Sequence, residues 1–190
     1  LTHGRTHVYF AESLDTFIQD LNRAKPTMFI SVPRLWLKFQ QGVFSKMPPA
    51  KLNLLLSIPI LGGVVRKKIL KGLGLDQVIV AGSGSAPIPA ELIMWYRKLG
   101  LNLLEGYAMT EDFAYSHSSD DTYNEPGYVG IPYEGVQARI SDEGEILIKS
   151  PGQMVGYYKR PDLDAESFTP DGFFKTGDQG SQRADGLLKI

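Results

Sequence analysis

The chain has 190 residues, of which 43% are hydrophobic and 22% charged, an ordinary composition for a globular protein that buries a core. Its formal net charge of −1 gives no electrostatic reason to expect nucleic-acid binding. The absence of cysteine excludes disulfides and thiolate metal sites and is compatible with a cytoplasmic location.

The most apolar stretch, residues 52–65, is too short and too interrupted by Pro and Gly to span a bilayer. The chain opens on Leu1 and stops at Ile190 within a strand-like run, so we expect it to be a piece of a longer protein. A basic helical face near Arg66 leaves peripheral membrane contact open, and a homodimer is equally open.

Strand and helix patterns alternate through the first part of the chain. Continuous apolar runs predict three buried strands, at 27–32, 77–81 and 101–104. Apolar residues at helical spacing predict helices at 14–21, 35–44, 61–73 and 89–99. Such alternation implies helical crossovers, so residues 1–124 are interpreted as an α/β subdomain with a partial doubly wound, mostly parallel sheet.

The pattern changes after a polar loop at 116–126. Short strands alternate with Asp-Gly or Glu-Gly turns, which favour hairpin reversals. The predicted strands are 136–140, 145–149, 172–175 and 187–190, with one helix near 162–168. Residues 125–190 are therefore predicted to form a small antiparallel β-barrel-like subdomain.

Two of the three buried strands run into loops that carry chemistry, 82–87 and 105–111. If the sheet is parallel, both loops lie at its carboxyl edge, where open α/β folds bind ligands. In the second loop Tyr107 offers a flat ring, Thr110 a hydroxyl donor and Glu111 an oxygen ligand for magnesium. The competing interpretation is a tight turn with a solvated carboxylate.

Four segments, in this order, resemble the motifs of the adenylate-forming enzymes, a family that includes acyl-CoA synthetases and luciferases. Gly-Ser-Ala-Pro at 84–87 resembles that family's Gly-Gly-Ala-Pro-type loop, and 106–111 resembles its Tyr-Gly-x-Thr-Glu motif. Residues 144–158 resemble its Gly-Glu-Leu to Gly-Tyr-Tyr segment, and Lys-Thr-Gly-Asp at 175–178 contains its Thr-Gly-Asp motif. The run at 185–190 is similar to the strand that leads into the family's hinge.

Within the family, residues 26–36 are most similar to long-chain fatty-acid–CoA ligases. The resemblance identifies the chain as a central fragment of the large N-terminal domain of an acid–thiol ligase in lipid metabolism. It implies ATP-dependent formation of an acyl-adenylate and then acyl-CoA, with release of pyrophosphate and AMP. The fragment is expected to be inactive alone. Two alternatives stay open: a fatty-acyl-AMP ligase that loads a carrier protein, and a non-catalytic relative that binds AMP or acyl chains.

The resemblance also implies roles for individual residues. Thr110 and Glu111 would act in catalysis, Glu111 would hold Mg²⁺, and coenzyme A would be a co-substrate. ATP or AMP would be bound by Gly84, Ser85, Ala86, Pro87, Glu105, Gly106, Tyr107, Thr110 and Asp178. The acyl chain would lie near Trp36, Gly82 and Gly84, although Trp36 taken singly is better explained as core. His3, His7 and His117 lack partners at metal spacing and are interpreted as surface or structural residues.

Overall fold

The computed structural model describes residues 6–190, which form two compact units. The first unit comprises the described residues up to Ile30, Arg34–Ala81 and Trp95–Asn102. The second comprises Ser31–Pro33, Gly82–Met94 and Leu103–Ile190. The division at residue 124 remains a prediction.

The helices are α1 Phe17–Ala24, α2 Pro33–Lys46, α3 Pro49–Ser57, α4 Leu61–Leu73, α5 Ala90–Lys98 and α6 Pro161–Ser167. The strands are β1 Met28–Ser31, β2 Val80–Ser83, β3 Leu103–Tyr107, β4 His117–Ser118, β5 Ile131–Pro132, β6 Gln137–Ile140, β7 Glu145–Lys149, β8 Phe174–Gln179, β9 Ser181–Gln182 and β10 Leu188–Lys189. No helix among the described residues combines the length and hydropathy needed to cross a bilayer.

The first unit has an aromatic core around Trp36, which is completely buried. Its indole lies edge-on to Phe29 and Tyr96, at centroid distances of 5.2 and 4.9 Å. The Tyr96 hydroxyl donates to the Trp36 carbonyl at 2.7 Å, so this buried hydroxyl is satisfied. Trp36 thus contributes to the core of this unit, and its acyl-binding role stays a prediction.

Strands β1 and β2 run parallel. In the first unit the amides of Ile79 and Val80 donate to the Thr27 carbonyl, and in the second the Gly84 amide donates to the Ser31 carbonyl. Residue numbers increase in both strands from the first pairing to the second, so the strands are parallel, as expected for strands joined through helices.

In the second unit the end of β2 is followed across the sheet by β3, β4 and β5. The β3–β4 and β4–β5 pairs are antiparallel. Strands β6, β7 and β8 form a separate antiparallel sheet, and β9 pairs with β10. The predicted α/β class with a small antiparallel region is confirmed, and the main sheet contains both parallel and antiparallel pairs.

Several predicted boundaries were wrong for identifiable reasons. Strand β3 continues to Tyr107 because β4, ten residues further along, supplies partners for Gly106 and Tyr107. The same pairing places a strand inside the predicted 116–126 loop. Helix α1 begins at Phe17, not after Ser13, because Ser13 and Thr16 hydrogen-bond to each other in a turn.

Candidate functional site

The second unit encloses a cavity of about 250 Å³ at the end of β3. Seven of the nine residues predicted to bind a nucleotide line it: Ser85, Ala86, Pro87, Glu105, Gly106, Tyr107 and Asp178. They come from three segments: the loop after β2, strand β3, and strand β8. The fold therefore brings together residues that only the order of motifs along the sequence had related to one another. Gly84 and Thr110 are not part of this lining.

Tyr107 and Asp178 are joined directly within this wall. The Tyr107 hydroxyl donates to Asp178 Oδ2 at 2.7 Å. Burial, together with the nearby Asp178 carboxylate, raises the pKa of Tyr107, so its hydroxyl stays protonated and remains a donor. The Asp178 amide donates to Thr176 Oγ1, whose hydroxyl donates in turn to the Ile146 carbonyl on β7. The side-chain carboxylate and the backbone amide of Asp178 are thus both held by hydrogen bonds.

This contact gives a stability prediction. Tyr107→Phe removes a half-buried hydrogen bond to a carboxylate and is expected to lower the free energy of unfolding by about 1–2 kcal/mol. Urea denaturation at neutral pH measures the change. Tyr158→Phe is the matched control, because Tyr158 is 86% exposed. Equal effects of the two substitutions would contradict a structural role for the Tyr107 hydroxyl.

Glu105 lines this cavity and also makes structural hydrogen bonds. Its side chain is 7% exposed, and Oε2 accepts a hydrogen bond from the Gly127 amide at 3.0 Å. The Glu105 carbonyl also accepts from the Ser119 amide. Glu105 thereby anchors the segment that carries Gly127, which itself lines the cavity. A contribution to nucleotide binding through this segment stays a prediction.

Glu111 lines a second cavity, of about 450 Å³, to which Asp178 also contributes. The Tyr157 hydroxyl donates to Glu111 Oε1 at 2.9 Å, and the Met154 amide donates to the Glu111 carbonyl at 2.7 Å. Side chain and backbone of Glu111 are therefore both held by the 154–157 segment. No role was predicted for Tyr157 from the sequence, although its place in the Gly-Tyr-Tyr motif was a usable signal.

The turn around Glu111 is closed by Asp112, which is 3% exposed. Its Oδ1 accepts from the Met109 amide at 3.1 Å, and burial raises its pKa. Phe113 and Ala114, which follow, both have a φ of 56°, a strained value for residues other than glycine. Thr110 begins this turn and is exposed, outside the lining of both cavities.

The chemistry of Glu111 fits the predicted magnesium ion. No cluster of three or more His, Cys, Asp or Glu side chains suited to a metal occurs among residues 6–190. Magnesium, however, is commonly bound through one or two carboxylates together with substrate phosphates and water. A single oriented carboxylate beside a cavity is what this mode requires of the protein.

Gly82 and Gly84, predicted to leave room for an acyl chain, flank the end of β2. A Cβ atom added at Gly84 would lie 3.5 Å from the Gly106 carbonyl oxygen, an ordinary van der Waals contact. Ser85, the next residue, has a φ of 68° and is exposed. The loop therefore passes beside β3, and its acyl-binding role stays a prediction.

His117 is structural, 2% exposed, and paired with Tyr107 across β3 and β4. Its Nδ1 lies 2.8 Å from Ser116 Oγ, and its ring centroid lies 6.3 Å from that of Tyr107. Nε2 is buried without a hydrogen-bond partner among the described residues. Burial lowers the pKa of His117 to about 4. His7 is exposed, and His3 lies outside the described residues.

The His117 pKa predicts a loss of stability in mild acid. The unfolded chain takes up a proton near pH 6.5, but the folded protein does so only near pH 4, so the unfolded state gains stability as pH falls through this window. The free energy of unfolding should drop by about 2 kcal/mol between pH 7 and pH 5 from this residue alone. Urea denaturation of wild type and His117→Asn at both pH values measures it. An equal pH dependence in the two proteins would contradict the prediction.

Comparison with known proteins gives consistent matches. The family model described as AMP-binding enzyme matches residues 1–158. A carboxylic acid reductase of Mycobacterium tuberculosis is 33% identical over 94% of this chain and 16% of its own length. The long-chain-fatty-acid–CoA ligase FadD15 of Mycobacterium bovis is 29% identical over 99% of this chain and 35% of its own length.

Among solved structures, ATP-bound MatB from Rhodopseudomonas palustris superimposes with a TM-score of 0.68 at 28% identity. The match covers 93% of this chain and 32% of MatB. The chain thus spans between 16% and 35% of the length of the two curated relatives.

Proposed function

The chain belongs to the AMP-binding enzyme family, and from this premise we propose that the protein activates a carboxylic acid with ATP and transfers the acyl group to coenzyme A. The observation that carries the proposal is the cavity in which the loop after β2, strand β3 and Asp178 meet. Its lining holds a half-buried aromatic ring beside a carboxylate, the two groups that an adenosine needs for stacking and for binding its ribose.

The first step is attack of the substrate carboxylate oxygen on the α-phosphorus of ATP. A phosphorus–oxygen bond forms to give the acyl-adenylate, and the bond to pyrophosphate breaks. In the second step the thiol of coenzyme A attacks the acyl carbon, loses its proton and displaces AMP. Reactions at phosphorus of this kind depend mainly on positioning and charge neutralisation, and less on proton transfer by the protein.

Each residue has a part in the first step. Tyr107 stacks on adenine, while Asp178, oriented by the Tyr107 hydroxyl, accepts hydrogen bonds from the ribose. Glu111, held by Tyr157, would bind magnesium, which supplies positive charge at the phosphate oxygens. Thr110 is exposed and donates to the α-phosphate.

The proposed acid is a long-chain fatty acid, supported by the similarity to FadD15. In this proposal Gly82 and Gly84 leave space for the acyl chain beside its carboxylate. Gly84→Leu is therefore expected to shift the preference of the full-length protein toward shorter acids by severalfold in kcat/KM. Gly63→Leu is the control, since a Cβ there would meet no neighbour within 4 Å. An unchanged chain-length profile in Gly84→Leu would remove Gly84 from the acyl site.

A second candidate is an enzyme that forms the acyl-adenylate but passes the acyl group to an acceptor other than free coenzyme A. The similarity to a carboxylic acid reductase favours it, because that relative is named for a different overall reaction.

One experiment separates these candidates. The full-length protein is incubated with ATP, magnesium and fatty acids of graded length, with and without coenzyme A, and the products are identified by mass spectrometry. Acyl-CoA together with AMP supports the ligase. Acyl-adenylate that accumulates in the presence of coenzyme A supports the second candidate. Absence of adenylate with every acid tested would overturn the catalytic proposal and leave a nucleotide- or acyl-binding protein.

A further inference from the structure

Helices α3 and α4 form a hairpin in the first unit, joined by Ile58, Pro59 and Ile60. The helices are closely apposed, because a Cβ atom at Gly62 would lie 2.5 Å from the Leu56 carbonyl oxygen. The facing sides of the two helices are therefore packed against each other near the connection. Leu52 and Leu56 of α3 are buried.

Apolar side chains are exposed in the connection and in the adjoining turns of the two helices. The exposed fractions are 65% for Leu54, 41% for Ile58, 90% for Ile60, 40% for Leu61 and 58% for Val64. We call these five residues the apolar tip. Contiguous exposed apolar side chains of this kind mark interaction sites more often than isolated ones do.

Ile60 is the most unusual member of the tip. It occupies the centre of a γ-turn, with φ 66° and ψ −56°, closed by the Leu61 amide donating to the Pro59 carbonyl at 2.7 Å. A β-branched residue is disfavoured at this φ. Glycine would relieve the strain, and the exposed isoleucine gains no packing that compensates for it.

Cations follow the apolar tip on the same face of α4. Lys67 lies three residues and Lys68 four residues after Val64, spacings that place them along one side of the helix. Lys71 continues this side. All three lysines are exposed, and none takes part in the ion pairs found among residues 6–190.

Charge is strongly segregated in this hairpin. Residues 49–73 contain five cations, Lys51, Arg66, Lys67, Lys68 and Lys71, and no Asp or Glu, although the whole chain has a net charge of −1. An apolar tip followed by unpaired cations complements an anionic lipid surface, where acyl chains and phosphates lie at adjacent depths. A soluble protein partner would account for the cations or for the apolar tip. An anionic bilayer accounts for both, and for the position of the cations directly after the tip.

We propose that the α3–α4 hairpin is a docking surface for anionic membranes. The apolar tip enters the boundary between headgroups and acyl chains, while Lys67, Lys68 and Lys71 contact lipid phosphates. Each lysine near such a surface contributes about a fivefold gain in affinity, screened by salt. This surface is independent of the proposed catalytic site, and its test requires no activity.

The test measures co-sedimentation of the full-length protein with vesicles of phosphatidylglycerol and phosphatidylcholine, and with vesicles of phosphatidylcholine alone. Wild type should bind the anionic vesicles at least tenfold more tightly, and salt should weaken this binding. The double variant Ile60→Asn/Val64→Ser should lose at least tenfold, and Lys67→Gln/Lys68→Gln about twenty-fivefold. Ile60 is 90% exposed and Val64 is 58% exposed, so neither change opens a cavity and the first variant is expected to fold.

Two control variants match these changes. Val155→Asn removes a fully exposed apolar side chain in the second unit, and Lys38→Gln/Lys46→Gln removes two exposed cations from α2. The proposal is overturned if wild type does not prefer anionic vesicles, or if the controls lose as much binding as the hairpin variants. It is also overturned if the hairpin variants bind normally, or if Ile60→Asn/Val64→Ser instead dissociates a dimer seen without lipid by analytical ultracentrifugation.

Discussion

Glu111→Gln in the full-length protein is expected to slow acyl-adenylate formation by about a hundredfold, equivalent to about 2.7 kcal/mol. The substitution keeps an oxygen that can accept from the Tyr157 hydroxyl, so the contact that holds the side chain is preserved. What it removes is the negative charge that would bind magnesium beside the phosphates. ATP binding should weaken far less than the chemical step, because stacking and ribose contacts are unchanged.

Single-turnover formation of adenylate, with ATP affinity measured separately, tests this expectation. Glu143→Gln is the matched control, because Glu143 is an exposed turn carboxylate outside both cavities. Equal losses of ATP affinity and of adenylation rate would show that Glu111 only maintains the structure of the site. Supplying more magnesium should restore part of the lost rate if the defect lies in ion binding.

Asp178→Ala is expected to weaken AMP binding by about a hundredfold or more. The carboxylate would accept hydrogen bonds from two ribose hydroxyls, and each such bond to a charged group is worth about 1.5–3 kcal/mol. Its removal also takes away the acceptor of the Tyr107 hydroxyl, which leaves that buried donor unsatisfied. Asp178→Asn retains one acceptor oxygen, so it should lose only about tenfold.

Isothermal titration of AMP into each folded variant measures these losses. Asp142→Ala serves as the control, because Asp142 lies exposed in the turn between β6 and β7. AMP affinity that is unchanged in Asp178→Ala would place the ribose elsewhere. Tyr107→Phe should fall between wild type and Asp178→Ala in AMP affinity, since it removes only the hydroxyl that orients the carboxylate.

Glu111 and Asp178 also show what the order of motifs along a sequence can establish. Glu111 and Asp178 were selected because their short strings occur in the order of a known family, and the match over residues 1–158 confirms that family. The structure adds the contacts that orient them, from Tyr157 to Glu111 and from Tyr107 to Asp178. The partners in the second pair are 71 residues apart, and no local pattern predicts such a bond.

The sequence by itself determined the elements whose signals are local. The bounds of α4 and β7 were predicted as observed, because helical apolar spacing ended by Gly74 and an apolar run bounded by turns are both properties of neighbouring residues. The alternation of such elements was sufficient for the α/β class.

Only the tertiary structure decided the features that depend on distant partners. Strand β3 reaches Tyr107 because β4 pairs with it, and the same pairing buries His117 and lowers its pKa. Helix α3 was not predicted, since its exposed and buried leucines give no clear amphipathic period. Burial and tertiary hydrogen bonds depend on residues far apart in the chain, whereas periodicity and turn chemistry depend on neighbouring residues.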